Sequence, residues 1–111
     1  MNIKRTKTGT VTFITPEFPI IEEGLEPLDH MIKECLERNE ILIVINLSQV
    51  PFIDSKGLEA LLDYHNKIRK RGGSIKIANP NPLCNEIFNI TNMTIYFEIY
   101  FDLERAGKSF L

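Results

Sequence analysis

Ser55 carries the hydroxyl in this chain that is best placed to do chemistry. It stands within Phe52-Ile53-Asp54-Ser55-Lys56-Gly57-Leu58, after the aliphatic run Ile41-Leu42-Ile43-Val44-Ile45 and before a stretch with helical spacing. That order puts a lone hydroxyl where a buried strand hands over to a helix N-terminus. Unpaired backbone N–H groups and the positive end of the helix dipole both favour an anion there. The segment therefore reads as a phosphorylatable switch. The same residues also support a plainer reading, in which Asp54 or Ser55 caps the helix and contributes ~1 kcal/mol. Gly57 then allows close packing or a tight entry. The two readings are compatible, because a capping hydroxyl is well placed to become a phosphoserine.

Other chemistry is thinly represented. His30 and His65 both fall in helical stretches: His65 lies on an apolar stripe as a packed ring, and His30 flanks its stripe at the surface. No cluster of His, Cys, Asp and Glu has metal-ligand spacing, and no Gly-rich loop matches a nucleotide-binding fingerprint. Gly72-Gly73 follows a helix, so it reads as a helix stop. A receiver-type phosphoacceptor would need an acidic pair after the first strand and an aspartate ending the third. Asn46 ends the aliphatic strand instead. A small enzyme or nucleotide-binding protein is left without a nucleophile–base pair. The expectation is a binding module with no catalytic activity, metal or cofactor.

Size and charge narrow the class further. The 111 residues fit one domain, taken as 1–111, with 13 basic against 15 acidic side chains and a net charge of −2. No basic field is available to hold nucleic acid or an anionic membrane by charge alone. Cys35 and Cys84 sit among apolar neighbours and read as buried reduced thiols. No apolar run approaches the ~20 residues of a membrane helix, and the first ten residues have no apolar signal core. A cytoplasmic, soluble domain is expected.

The elements that must position Ser55 follow from periodicity. Residues 2–6 and 10–14 suit two strands around the turn Lys7-Thr8-Gly9, with Val11, Phe13 and Ile3 facing inward. Pro16 and Pro19 interrupt 15–24, where Ile20-Ile21 fits an edge strand or a packed loop. Apolar residues near Phe18 and Ile20 suit either an interface or the core. Leu25, Leu28, Ile32, Cys35 and Leu36 form a helical stripe that stops at Asn39. Residues 41–47 read as a central strand buried on both faces. Leu58, Leu61, Leu62, His65 and Ile68 mark a second helix ending in Lys70-Arg71-Gly72-Gly73. Ile75 and Ile77 give another strand, and Pro82 opens a third helix packing through Leu83, Ile87, Phe88 and Ile90. Residues 96–101 look strand-like, and Asp102 caps a last short helix from Leu103. The fold class is α/β: an N-terminal hairpin, then alternating helices and strands, giving a mixed sheet with helices packed against it.

With these elements in place, the motifs resemble a known family. Val44-Ile45-Asn46-Leu47, Val50 and Phe52-Ile53-Asp54-Ser55-Lys56-Gly57-Leu58 resemble the signature of STAS domains, and most of all bacterial anti-sigma factor antagonists. The likeness runs through Gly72-Gly73, Ala78-Asn79-Pro80, Thr91-Asn92-Met93 and Asp102-Leu103-Glu104-Arg105-Ala106. The resemblance implies that Ser55 is phosphorylated by an anti-sigma factor that doubles as a serine kinase, ending their binding until a phosphatase resets the switch. It places Asp54, Lys56, Gly57 and Asn46 beside Ser55 as partner-binding residues. Lys56 either moderates the local field or is simply solvated. The implied protein is a monomer or weak dimer that contacts nucleic acid only through its partners and does not enter the membrane. Two departures stand out. The family's Gly-x-Leu-Asp or Gly-x-Ile-Asp element after the second strand has no match in Pro16-Glu17-Phe18-Pro19-Ile20-Ile21, and Asn92 replaces a usual glycine. The first departure favours an alternative, a non-phosphorylated STAS subunit or scaffold of a lipid-transport or signalling complex.

Overall fold

In the computed structural model, which describes residues 2–111, one five-stranded sheet carries helices on both faces. Its strands are β1 (Ile3–Thr8), β2 (Val11–Pro16), β3 (Leu42–Asn46), β4 (Ser74–Ala78) and β5 (Ile99–Tyr100), side by side in that order. Only β1 and β2 pair antiparallel; β2 through β5 run parallel, so the sheet is mixed. The helices are α1 (Glu26–Glu37), α2 (Ser55–Lys70), α3 (Pro82–Ile90) and α4 (Leu103–Lys108). The first three are crossovers between consecutive parallel strands and share one face, as connections of a single hand require.

The core is asymmetric. On the face of the three crossovers, Ile14, Ile43, Ile45, Ile75 and Ile77 of the sheet meet Leu28 and Ile32 of α1, Leu61 and Ile68 of α2, and Phe88 of α3. Each such aliphatic side chain, fully buried, contributes ~1.5–3 kcal/mol relative to exposure. On the other face a smaller cluster of Val11, Val44, Ala78 and Ala106 is covered by α4 alone. Strand β3 thus alternates between two interiors, which explains its unbroken aliphatic run. The same holds for β2, where Val11 faces α4 while Ile14 reaches the larger core.

Helix ends follow their local chemistry. Asn39 (φ 56°) and Gly72 (φ 91°) take left-handed conformations just past α1 and α2. In each case the next N–H reaches back, from Glu40 to Cys35 O at 2.8 Å and from Gly73 to Ile68 O at 3.1 Å, closing a Schellman motif. Asn92 has φ 60° after α3, the geometry asparagine tolerates in place of glycine. Asp102 caps α4 by accepting from Glu104 N at 2.9 Å.

Several expectations shift. The hairpin turn is Gly9-Thr10, since Thr8 pairs with Val11 and Gly9 supplies the positive φ of 62°. Helix α3 buries Cys84 and Phe88, whereas Leu83 and Ile90 are 52% and 72% exposed. A nine-residue helix needs one i, i+4 pair to seat it, and Leu83 lies a full ~100° round from Cys84. The strand expected over 96–101 shrinks to Ile99–Tyr100. A 3₁₀ turn, Met93–Ile95, takes up the chain first, with Tyr96 N and Phe97 N both donating to Met93 O. Tyr64, outside the predicted stripe, is buried and hydrogen-bonds the Asp29 carboxylate; burial and that carboxylate push its phenol up. Phe18 and Ile20 both belong to the interior.

His65 is buried as a packed ring. Its Nδ1 accepts from Ile75 N at 3.4 Å, and the ring sits 4.8 Å from that of Phe97. Burial, helped by the charge of Arg69, lowers its pKa below the ordinary 6.5. The unfolded chain therefore takes up the proton first as pH falls. Stability from the neutral ring is complete above about pH 6.5 and declines as the pH drops below it. The difference in urea-unfolding free energy between wild type and His65→Gln should shrink from about pH 7.5 to about pH 5.5. A difference independent of pH would contradict the neutral, hydrogen-bonded imidazole.

Candidate functional site

The C-terminal end of β3 leads into a tightly held loop. Leu47 N donates to Ala78 O at 2.8 Å, and Val50 N to Leu47 O at 3.0 Å. Val50 and Ile53 are buried while Pro51 and Phe52 face out. Asn81, which caps α3 through Cys84 N at 2.7 Å, also donates from its amide to Val50 O at 3.3 Å and Pro51 O at 3.1 Å. The N-terminus of α3 is thereby fastened to the loop that leads into α2.

The segment after β2 closes the other side. Ile20 forms a single parallel bridge with Ile53: Ile20 N donates to Phe52 O at 3.1 Å, and Asp54 N donates to Ile20 O at 3.2 Å. This resolves Ile20-Ile21 as a packed loop pinned by one bridge. Gly57 sits directly against it, because a Cβ there would lie 2.0 Å from the Ile20 carbonyl oxygen. Any side chain at 57 would force the loop and the helix apart.

Asp54 is the N-cap of α2. Its Oδ1 accepts from Gly57 N at 2.7 Å, and its Oδ2 accepts from Glu22 N at 3.3 Å. One carboxylate therefore serves two N-termini, that of α2 and that of the 3₁₀ turn Glu22–Gly24. Ser55 is the first helical residue, exposed, and its hydroxyl makes no hydrogen bond among the described residues. Of the two capping candidates, Asp54 holds the role and Ser55 is left free. Lys56 pairs with Glu59 at 3.3 Å, both well exposed. Asn46 ends β3, but its Oδ1 accepts from Ser48 N at 3.2 Å. It shares the end of the sheet with residues 54–57 and makes no hydrogen bond to them.

Two contributors lay outside the sequence-based reading. Glu22 enters through its backbone N–H, which carries no side-chain signature. Asn81 was legible in principle, since Asn before Pro82 is a strong N-cap signal. No group of three or more His, Cys, Asp or Glu side chains able to hold a metal occurs among the described residues. No helix among them is long and apolar enough to cross a membrane.

The chain that carries this site matches a known family. A sequence model of the STAS domain matches residues 2–106. The chain belongs to the STAS domain family. Solved structures agree at the level of the fold. A candidate anti-sigma factor antagonist from Thermotoga maritima superposes with a TM-score of 0.90 at 21% identity, over 96% of this chain and 92% of that one. The Bacillus cell-fate determinant SpoIIAA in its phosphorylated form gives 0.75 at 16% identity, over 99% and 100% of the two chains. A murine solute carrier 26 anion transporter, member A9, gives 0.74 at 13% identity over 95% of this chain and 18% of its own.

The separate roles of Asp54, Ser55 and Gly57 are measurable by urea denaturation. Asp54→Ala should cost ~1 kcal/mol through the lost cap, and Gly57→Ala ~1–3 kcal/mol through overpacking against Ile20. Ser55→Ala should stay within ~0.5 kcal/mol of wild type. Equal losses for Ser55→Ala and Asp54→Ala would contradict the assignment of the cap.

Proposed function

We propose that this STAS domain is a bacterial, cytoplasmic anti-sigma factor antagonist that works by partner switching, with Ser55 as its phosphoacceptor. The observation that carries the proposal is the free, exposed hydroxyl of Ser55 at the first position of α2, beside a cap that does not need it. A kinase can reach that oxygen without dismantling any hydrogen bond. By position, the N–H groups of Ser55 and Lys56 have no partner within the helix, so a phosphate gains donors and the favourable end of the dipole.

Phosphorylation would then change charge far more than shape. It adds about −1.5 to −2 charges next to the carboxylate of Asp54 and the exposed acidic turn of Glu22 and Glu23. A partner surface fitted to a neutral hydroxyl faces repulsion and an unmet desolvation cost. Exposed apolar side chains at the same end, Phe52 at 41% and Leu83 at 52%, suit the contact that the unphosphorylated state makes. The partner is an anti-sigma factor with serine-kinase activity, and a phosphatase restores binding. The domain acts by binding and not by catalysis.

A second reading is favoured by the absence of a Gly-x-Leu-Asp element in 16–21 and by the fold's presence within a transporter chain. There the domain is a subunit or scaffold, and Ser55 is a contact residue only. Affinity capture from native lysate separates the two, using wild type and Ser55→Asp as baits. The proposal expects a serine kinase retained by wild type and lost from Ser55→Asp, with the two baits melting at the same temperature. Transporter or scaffold components held equally by both baits would contradict it.

A further inference from the structure

A second, independent feature lies away from Ser55, between the C-terminal half of α2 and the chain leading into β5. Because β5 pairs with β4 only at Ile77 and Ala78, the edge of β4 from Ser74 to Lys76 is left open by the sheet. A cavity of about 460 Å³ fills that place, walled by α2 on one side and by 94–98 on the other. Its size lies within the range of small-molecule sites.

Its wall carries two cationic side chains, Arg69 and Lys76, against one carboxylate, Glu98. His65 is 8% exposed and lines the cavity. Because its Nδ1 accepts from Ile75 N, the proton of the neutral ring sits on Nε2, which makes no hydrogen bond among the described residues. Arg69, one helical turn on, also lines the cavity, and its guanidinium forms neither an ion pair nor a hydrogen bond among those residues. Asn66, Ser74, Thr94 and Tyr96 also line it, as does Lys76. Glu98 lines it too, but its carboxylate already accepts from Tyr100 Oη at 2.6 Å and faces Lys76 Nζ at 3.6 Å. Beside the donors lie exposed apolar surfaces, with Ile95 at 76% and Tyr96 at 50%.

We infer that this cavity binds a small organic oxyanion, a phosphate monoester or carboxylate, with its charged group on Arg69 and His65 Nε2 and its apolar part against Ile95 and Tyr96. A guanidinium without a partner is the side chain best suited to bidentate recognition of such groups. A neutral imidazole N–H adds a donor without requiring a second buried charge. The site is separate from Ser55 and stands whether or not Ser55 is phosphorylated.

The test is an NMR titration of the full chain, following backbone amides with phenyl phosphate, benzoate and, as the neutral control, phenol. Binding should move the amides of 65–69 and 94–98 with at least one of the two anions and not with phenol. Phenyl phosphate alone marks a phosphate site, and benzoate alone a carboxylate site. Arg69→Gln, a change at an exposed position, should weaken binding roughly tenfold or more; Asn66→Ala should weaken it less. Movement confined to 54–58, equal response to phenol, undiminished binding by Arg69→Gln, or no response to either anion would overturn the inference.

Discussion

The approach of the Ile20 main chain to Gly57 is the constraint on which the functional end of this molecule depends. One carbonyl, that of Ile20, accepts the Asp54 N–H and leaves no room for a side chain at 57. Once Gly57 permits that contact, the Asp54 carboxylate falls between two N-termini and holds both. The loop after β2, which has only a single bridge to the rest of the sheet, becomes part of the same rigid corner as α2. Ser55 then emerges from the corner with nothing to hold and nothing to lose. A glycine at the start of a helix is easily read as flexibility. Here it serves the opposite purpose, close packing that fixes the helix start.

Much of this was legible in the sequence where one physical signal dominated. The aliphatic run at 41–47 could only be a strand buried on both faces, and the cations and glycines at 70–73 closed a helix as they should. The signature around Ser55 identified the family from residues alone. Legibility failed where tertiary contacts outweighed local pattern. Leu83 and Ile90 are as apolar as Phe88, yet the helix turns them outward because Cys84 and Phe88 already fill the core. Residues 96–101 are rich in strand formers, but the 3₁₀ turn that precedes them draws the N–H groups of Tyr96 and Phe97 back to Met93 O, so the chain reaches the edge of β4 only at Glu98. The contribution of Glu22 could not have been read, since it acts through an N–H that every residue but proline possesses.

The segment after β2 has no Gly-x-Leu-Asp element, but it does carry negative charge. The Glu22–Gly24 turn carries two carboxylates in its first turn and is tied through Glu22 N to the carboxylate of Asp54. Were Ser55 phosphorylated as proposed, the added phosphate would stand beside the Asp54 carboxylate that this turn is tied to.

The central claim is that Ser55 is a phosphoacceptor whose modification is reversible in the cell. Fragmentation mass spectrometry of the chain recovered from its native cells, in growth and under stress, tests it most directly. The account predicts one phosphate, on Ser55, whose occupancy changes between conditions. A chain that carries no phosphate on Ser55 in any condition, or carries it on another residue, would contradict it.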